Sequence, residues 1–533
     1  MGRIRAEPDF SRCWVLETTL MSMENIDHVV VVMMENRSFD HLLGWLYANE
    51  GNRPPHNLPP RDPPTFDGLE PNKYSNRLDA SSPPVFASRP PRAWPSCPKP
   101  LQVPTPNPHE QFAPVIHQLY GSAQPVPGDV APMSGFLADY ATTGVPPDSA
   151  AQIMEGYGPE EAGVINQLAR SFAVCDRWFS SMPTETWPNR SFVHAGSSDG
   201  LINNEYLEPN DLKTIFNLLE EQGKSWAVFS DTILWPALTR VQFRQLWPLD
   251  EKFKRFHQFK KLCRAKADAA PDKKLPAYTF LEPRFVPDLG WLGIKYPNDF
   301  HPPHNVGRGE RFLAKVYDAV RASPYRDRIL LVIVFDEHGG CYDHVPPPWG
   351  AQPPEPSAVS RDGQFKFDRF GVRVPAMVIS SYVRPGTVFR AEDGAAPFDH
   401  TSILATLRDW LKLDADPARP FLPSPRIKAA PTLGPILELS EAEKIADWPK
   451  ISAKRWLGWG DLSLAIPMSD LQRGVVAHCR RHAHGQREQA ESTAKTGQVK
   501  SYGHALFYFL WAILPVRVVN CLLGRDLKGG NPG

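Results

Sequence analysis

Two short apolar runs restrict the fold of this sequence more than any other feature. The first, "VVVVMM", begins at Val29, and the second, "ILLVIVF", ends at Phe335. Short runs rich in β-branched residues are typical of strands buried on both faces of a parallel sheet. Each run stops at two polar side chains, Glu35-Asn36 in the first case and Asp336-Glu337 in the second. The chain is therefore expected to form an α/β sheet whose strand ends carry polar groups.

Helical patterns separate these and other strand-like segments, as in "DLKTIFNLLEEQG", "GRGERFLAKVYDAVRASP" and "HTSILATLRDWLKL". Asp211 is the candidate N-cap of the first of these helices, and Gly223 follows its end. Further strands are predicted at "SWAVFS" and "VPAMVIS". Strands that alternate with helices predict an α/β/α sandwich with a mostly parallel central sheet.

Three regions are predicted along the chain. Residues 1–24 form an N-terminal extension, residues 25–415 carry the strand and helix alternation, and residues 416–533 form a C-terminal extension. Within the middle region, residues 51–108 are crowded with proline, which fixes φ and has no N–H donor. This stretch is therefore predicted to be an irregular insertion rather than a layer of the core.

Charge and cysteine content exclude several classes of protein. The 59 basic and 59 acidic residues cancel, so nucleic-acid binding has no electrostatic support. The seven cysteines are scattered and no CxxC pattern occurs, which argues against a disulfide framework or a structural zinc site. The N-terminal segment has no apolar core or cleavage site of a secretory signal, so a cytoplasmic location is expected.

The two acidic pairs are candidates for a metal site. Ligands of open α/β sheets collect outside the carboxyl ends of the strands, where both pairs are predicted to lie. Three carboxylates and one amide oxygen suit Ca²⁺, Mg²⁺ or Mn²⁺ better than Zn²⁺. The alternative is that one pair merely caps the helix that follows it. Two such pairs favour one divalent ion held by Glu35, Asn36, Asp336 and Glu337.

A hydroxyl-rich stretch from Ser180 to Gly200 supplies a candidate nucleophile. Thr186 stands before Trp187-Pro188, and Arg190 follows. A threonine hydroxyl beside a divalent cation can act both as a ligand and, after losing its proton, as a nucleophile. Arg190 can hold a phosphate oxygen through two N–H groups. The alternative is that this threonine is an ordinary turn residue.

Four motifs together resemble those of a known family. "ENRSFDH", "TWPNR", "HPPHNVGRGE" and "FDEHGGCYDHVPPP" stand in the order and rough spacing of the phosphoesterase family, which contains bacterial and plant non-specific phospholipases C and certain acid phosphatases. That family belongs to the alkaline-phosphatase-like superfamily. The resemblance covers roughly residues 25–413 and implies an alkaline-phosphatase-like catalytic domain.

The resemblance also assigns roles to single residues. It implies that Glu35-Asn36 and Asp336-Glu337 hold the metal, that Asn36 also touches the phosphoryl group, and that Thr186 is the nucleophile. His301, in "DFHPPH", matches a histidine that contacts phosphate or donates a proton. His109, in "TPNPHEQF", stands where many members place another catalytic histidine, although its motif is shorter.

Further positions near the matched motifs are left open by the sequence. Asn305 stands where aspartate is common, and Glu185 either adjusts charge in the pocket or faces solvent. Three more histidines, each more often structural than catalytic, are His338, His344 and His400.

The resemblance implies a phospholipase C that releases diacylglycerol and a phosphorylated head group. The alternatives are an acid phosphatase with the same core and, more remotely, an inactive lipid-binding member. The apolar segment 505–516 is either a terminal helix packed on the domain or an interfacial anchor for peripheral membrane contact. It is shorter than the roughly 20 residues of a spanning helix.

Overall fold

The computed structural model describes residues 23–454, except 90, 96, 98, 122–124, 205–208, 291–292 and 417–420, and also residues 472–473. The apolar segment 505–516 lies outside the described residues, as does most of the N-terminal extension. Within the described part of the chain, no helix combines the length and apolar character needed to cross a bilayer. The cysteines described there, which carry free thiols, are Cys97, Cys175, Cys263 and Cys341.

The secondary structure follows the predicted alternation. The strands are β1 His28–Met34, β2 His56–Leu58, β3 Ser75–Asn76, β4 Val85–Phe86, β5 Ala173–Cys175, β6 Trp226–Ser230, β7 Phe253–Arg255, β8 Tyr278–Glu282, β9 Asp288–Gly290, β10 Gly293–Lys295, β11 Ile329–Phe335, β12 Ala376–Ile379 and β13 Thr387–Phe389. The helices are α1 Phe39–Leu43, α2 Phe112–Tyr120, α3 Phe136–Ala141, α4 Gly163–Ser171, α5 Thr186–Ala195, α6 Ile215–Glu221, α7 Leu238–Gln242, α8 Phe256–Cys263, α9 Val306–Arg321, α10 Thr401–Leu411 and α11 Pro425–Ala429.

A nine-stranded sheet forms the centre of the fold, in the order β2-β13-β5-β12-β11-β1-β8-β6-β7. Every neighbouring pair is parallel except the two pairs made by β12, which runs antiparallel to β11 and β5. All residues of β1 and β11 are buried. Because successive side chains point to opposite faces, the sheet is covered on both sides. The predicted α/β class with a mostly parallel sheet is confirmed.

Two local predictions are corrected by the structure. The Pro-rich insertion 51–108 contributes β2 to the edge of the central sheet, where Thr387 pairs with His56. Helix α6 begins after Thr214 rather than Asp211, because the Thr214 side chain accepts a hydrogen bond from the backbone of Asn217 in a capping box.

One buried carboxyl far from the strand ends makes stability depend on pH. Glu310, on α9, accepts hydrogen bonds from the backbone N–H groups of Val164 and Ile165 at the start of α4. Burial raises the pKa of Glu310 from 4.5 to about 7. Between these two pKa values the folded state keeps a proton that the unfolded chain releases. The contribution of Glu310 to the free energy of unfolding is therefore complete below the unfolded pKa and is lost as pH rises through about 7.

Glu310→Gln should remove that dependence. Between about pH 4 and about pH 8, the wild-type free energy of unfolding should fall relative to the variant by up to about 3 kcal/mol. Urea unfolding of both proteins across this range measures the difference. Parallel pH profiles would show that Glu310 titrates normally in the folded protein.

Candidate active site

The carboxyl ends of β1 and β11 bring the two acidic pairs to one edge of the sheet. Met34 lies opposite Phe335 in the parallel register, so Glu35 and Asp336 follow side by side. The Oδ1 atom of Asp336 accepts hydrogen bonds from the backbone N–H groups of Asn36, at 3.0 Å, and Glu337, at 2.8 Å. All four polar side chains are buried. One carboxylate thus ties both pairs together.

Two left-handed residues shape the turns at this edge. Asn36 has a φ of 51°, which asparagine tolerates better than most residues, and Gly339 has a φ of 62°. A Cβ atom on Gly339 would lie 2.2 Å from the carbonyl oxygen of Asn36. Glycine is therefore required where the two turns meet.

Gly339→Ala should displace Asn36 and impair catalysis. The variant combines backbone strain of about 1–3 kcal/mol with a backbone clash, so both unfolding free energy and kcat should fall. Gly350→Ala is the matched control, because Gly350 has a φ of 85° and its Cβ would meet no atom within 4 Å. Denaturant unfolding and initial rates compare the two. Equal losses would mean that the contact with Asn36 is unimportant.

Arg190 lies between two of the predicted metal ligands. Its Nε atom donates to Glu35 Oε1 at 3.0 Å and to Asp336 Oδ2 at 3.3 Å, and its Nη2 atom donates to the carbonyl of Met33 at 3.3 Å. The side chain is buried and compensates part of the negative charge. Its Nη1 atom is buried and has no hydrogen-bond partner among the described residues.

The carboxylates at this edge carry more negative charge than Arg190 compensates. Burial, and then the Asp336 carboxylate, raise the pKa of Glu35 well above its usual value. Burial, followed by the carboxylates of Glu110 and Asp336, does the same to the pKa of Glu337. A bound cation would relieve both effects, because it favours the ionised form of each group.

Two buried carboxylate oxygens without hydrogen-bond partners bear on whether a metal ion fits at this edge of the sheet. Glu35 Oε2 and Glu337 Oε1 are buried and lack hydrogen-bond partners within the described residues. Buried carboxylate oxygens are normally paired, so each requires a partner that the protein does not itself supply. An oxygen-only set is what hard divalent cations prefer. These residues therefore fit the predicted ion.

Thr186 is the first residue of α5 and is fully buried. Its Oγ1 atom donates a hydrogen bond to Asn36 Oδ1 at 3.3 Å, which joins the hydroxyl to the end of β1. Arg190 lies one helical turn later, on the same face of α5. The N-terminus of a helix also favours negative charge. One helix thus supplies both the hydroxyl and the guanidinium.

His301 contacts a carboxylate that the sequence analysis did not single out. Its Nε2 atom lies 3.5 Å from Glu110 Oε1, and its Nδ1 atom lies 2.5 Å from the carbonyl oxygen of Pro302. Burial lowers the pKa of His301, but the Glu110 carboxylate, the Asp299 carboxylate and the Pro302 carbonyl together raise it above its usual value. Burial raises the pKa of Glu110. The positive charge of His301 and hydrogen bonds to the carboxylate outweigh burial, so the pKa of Glu110 is lowered.

His109 lies outside this pair. Its side chain is 35% exposed, and its Nδ1 atom is 3.4 Å from Asp139 Oδ1. That hydrogen bond to Asp139 raises the pKa of His109. Asp139 accepts from Gln118, whose Oε1 lies 2.8 Å from His338 Nε2. This chain of side chains connects the His109 imidazole to the loop after β11.

The positions left open by the sequence have defined contacts. Asn305 caps α9 by accepting from the N–H of Gly307 at 2.9 Å. Glu185 is buried rather than exposed and accepts from the N–H of Asn204. Burial lowers the pKa of His338 to about 3, so that side chain is neutral. His400 Nε2 lies 2.6 Å from the carbonyl oxygen of Asp336.

A second carboxylate cluster lies beside the first. Ligand atoms of Asp40, Asp343 and His344 lie within 4.8 Å of one another. Arg373 already occupies this cluster, since it donates to Asp40 Oδ1 at 2.7 Å and to Asp343 Oδ1 at 3.1 Å. His344 Nδ1 lies 2.6 Å from Asp40 Oδ2. An internal cation therefore compensates the charge, and the cluster braces α1 against the loop after β11.

Comparison with known families shows which family this chain belongs to. The model of the Phosphoesterase family matches residues 26–414, which include every strand of the central sheet. This chain belongs to the Phosphoesterase family. The phosphoesterase is accordingly a hydrolase that acts on phosphoric ester bonds.

Its relatives include plant and bacterial proteins. Non-specific phospholipase C3 of Arabidopsis thaliana is 36% identical over 408 residues, 74% of this chain and 71% of its own. Non-specific phospholipase C1 of the same plant is 36% identical over 398 residues, 73% of this chain and 67% of its own. Phospholipase C A of Mycobacterium tuberculosis is 25% identical over 419 residues, 72% of this chain and 73% of its own.

Sequence reasoning did not identify Glu110 as part of the site. It adjoins His109, and nothing in "TPNPHEQF" indicates which of the two side chains points inward. The only available signal was that the motif around His109 is shorter than in many family members. The structure places the neighbouring carboxylate, and not the histidine, beside His301.

Proposed function

We propose that this phosphoesterase is a phospholipase C that uses Thr186 as its nucleophile and one divalent cation as its cofactor. The observation that carries the proposal is the hydrogen bond from Thr186 to Asn36, beside buried carboxylate oxygens that have no partner among the described residues. Relatives named non-specific phospholipase C, at 34–36% identity, support the substrate class.

The nucleophilic step uses side chains of α5 and the two strand ends. Asn36 accepts the hydrogen bond of the Thr186 hydroxyl and orients Oγ1. When bound at Glu35, Asn36, Asp336 and Glu337, the cation would supply Lewis-acid stabilisation of the phosphoryl charge and lower the pKa of the hydroxyl. Arg190 Nη1 adds a donor to a phosphoryl oxygen. Ca²⁺, Mg²⁺ and Mn²⁺ fit the oxygen ligands best.

Two displacements complete the reaction. The Thr186 oxygen loses its proton to solvent and bonds to phosphorus, the bond from phosphorus to the diacylglycerol oxygen breaks, and His301 protonates that oxygen. A water oxygen then bonds to phosphorus and gives up a proton, the bond from phosphorus to the Thr186 oxygen breaks, and Thr186 is reprotonated as the phosphorylated head group leaves. Electrostatic stabilisation is expected to contribute most, because the transferring group is charged throughout.

Paired substrate assays test the proposal. We expect the full chain to hydrolyse dihexanoyl-phosphatidylcholine, as a soluble diester, faster than p-nitrophenyl phosphate, and a chelator to abolish both activities. Preference for the monoester would indicate the acid-phosphatase alternative with the same core. Activity that survives exhaustive chelation would contradict the metal cofactor, and absence of both activities would contradict the function.

A further inference from the structure

Arg190 is a buried cation between two of the residues proposed to hold the metal ion. Its side chain is 1% exposed. Its Nε atom donates to Glu35 Oε1 at 3.0 Å and to Asp336 Oδ2 at 3.3 Å, and its Nη2 atom lies 2.8 Å from the same Glu35 oxygen. One guanidinium group therefore engages one carboxylate oxygen at the end of β1 and another at the end of β11.

Further contacts fix the guanidinium in this position. The centre of the Phe285 ring lies 4.9 Å from its central carbon atom, and the carbonyl of Met33 accepts from Nη2 at 3.3 Å. An aromatic face attracts a cation, and arginine keeps its charge when it is buried. Arg190 also follows Thr186 by one turn of α5. The fold thus places one permanent positive charge at the strand ends, on the helix that carries the Thr186 hydroxyl.

The hydrogen bonds of the carboxylates show which oxygen atoms remain for an added ion. Asp336 Oδ1 accepts from the N–H groups of Asn36 and Glu337, and its Oδ2 atom accepts from Arg190. Within the described part of the chain, the buried oxygens of these carboxylates that lack a partner are Glu35 Oε2 and Glu337 Oε1. Two neighbouring ions repel each other and need anionic oxygens between them. The unengaged oxygens therefore suit one ion better than a pair.

The charge balance leads to the same number of ions. The three carboxylates at the ends of β1 and β11, together with the one guanidinium of Arg190, leave two negative charges uncompensated. One divalent ion neutralises them. Glu282, at the end of β8, accepts instead from two backbone N–H groups of α7, and Glu110 lies 3.5 Å from His301. Neither of these other buried carboxylates calls for a second ion.

We propose that Arg190 takes the place of the second metal ion of a two-metal phosphoesterase site, so that this enzyme binds one divalent ion beside the arginine. In two-metal sites the ions lie roughly 3.5–4 Å apart and stabilise the attacking and the leaving oxygen of the displacement. Arg190 supplies one of these two positive charges as a fixed part of α5, with its Nη1 group as a donor. The inference rests on the proposed function for the presence of an ion, and it adds the number of ions and the reason for that number.

Arg190→Ala in the full chain tests this role, because it removes the charge and leaves room beside Glu35 and Asp336. Each protein is dialysed against buffered Mn²⁺, and the bound Mn²⁺ per chain is counted by atomic absorption. We expect the bound amount to about double, from one ion in the wild type to two in the variant. Electron paramagnetic resonance should show an isolated Mn²⁺ ion in the wild type and a spin-coupled pair in Arg190→Ala, because only neighbouring ions couple.

Three further variants define the comparison. Arg190→Lys keeps the positive charge and should still bind one uncoupled ion. Arg190→Gln removes the charge and offers an amide oxygen as a ligand, so it provides the same test if Arg190→Ala does not fold. Arg426→Ala is the control for loss of a buried arginine elsewhere, since Arg426 donates to Asp399 and to the carbonyl of Gln352, each at 3.1 Å. It should bind one ion, as the wild type does.

The outcomes separate this inference from the proposed function. A spin-coupled pair in the wild type would overturn the place assigned to Arg190 while leaving a metal-dependent phospholipase C. A wild type with one ion, combined with one ion or none in the charge-removing variants, would overturn it in the same way. A second ion in Arg190→Ala that is not coupled to the first would also contradict it. If the wild type binds no Mn²⁺ at all, the proposed cofactor and this inference fail together, and the hydrolysis assays then decide the phospholipase activity by themselves.

Discussion

Thr186→Ala should reduce turnover by at least about 10³-fold, because the substitution removes the nucleophile and with it the covalent route. The fold should survive, since the hydroxyl makes one hydrogen bond within the described part of the chain, the 3.3 Å contact with Asn36. Loss of such a contact costs about 1 kcal/mol. Initial rates on dihexanoyl-phosphatidylcholine and denaturant unfolding measure the two quantities. Thr186→Ser should retain part of the activity.

Thr184→Ala is the matched control for this prediction. Thr184 is also buried and lies two residues earlier, but its hydroxyl donates to the carbonyl of Ile202 and not to the site. It should keep most of the activity at a similar cost in stability. In the wild-type protein, a trapped phosphoryl adduct should map to the "TETWPNR" peptide. An adduct on any other residue would reject Thr186 as the nucleophile.

Glu337→Gln should abolish stabilisation by metal and lower turnover by at least about 100-fold. Its Oε2 atom accepts from the Gly339 N–H at 2.7 Å, and glutamine can preserve that bond while removing the charge. A ligand at about 100 times its Kd stabilises a protein by about 2.7 kcal/mol, so the wild type should gain this much from Mn²⁺ and the variant should not. Urea unfolding with and without metal measures the difference.

In chelated buffer the wild type should lose its advantage in unfolding free energy over Glu337→Gln. Burial and the carboxylates of Glu110 and Asp336 raise the pKa of Glu337, so its charge opposes folding in the absence of a cation. Removing that charge should make the metal-free variant at least as stable as the wild type. Glu282→Gln is the control, because Glu282 is equally buried at the end of β8 but accepts from the N–H groups of Leu238 and Thr239. Persistent stabilisation of Glu337→Gln by metal would place the ion elsewhere.

The membrane prediction remains open, because the apolar segment 505–516 lies outside the described residues. The cytoplasmic location and the regional boundaries also remain predictions. Vesicle co-sedimentation of the full chain against a chain truncated before Ser501 would test the interfacial anchor. Equal binding by both chains would favour a helix packed on the domain.

The sequence alone was sufficient for the parts of the fold that depend on local pattern. Short, continuous β-branched runs are typical of strands inside a covered sheet, which is why β1 and β11 were predictable together with their polar ends. A parallel register then brings Glu35 and Asp336 together without further information. The family motif "TWPNR" singled out Thr186, and the structure places this residue in the first turn of α5. Its role as the nucleophile stays a prediction.

Only the tertiary structure decided which way the functional side chains point. Adjacent residues in an irregular loop point in different directions, so only packing could turn Glu110 toward His301 and His109 toward Asp139. The same applies to Arg190, whose long side chain reaches Glu35 and Asp336 only after α5 docks at the strand ends. The sequence by itself determined which chemical groups follow the strands. The three-dimensional packing determined which of these groups meet, because charge pairing in a buried site depends on distances that sequence separation does not specify.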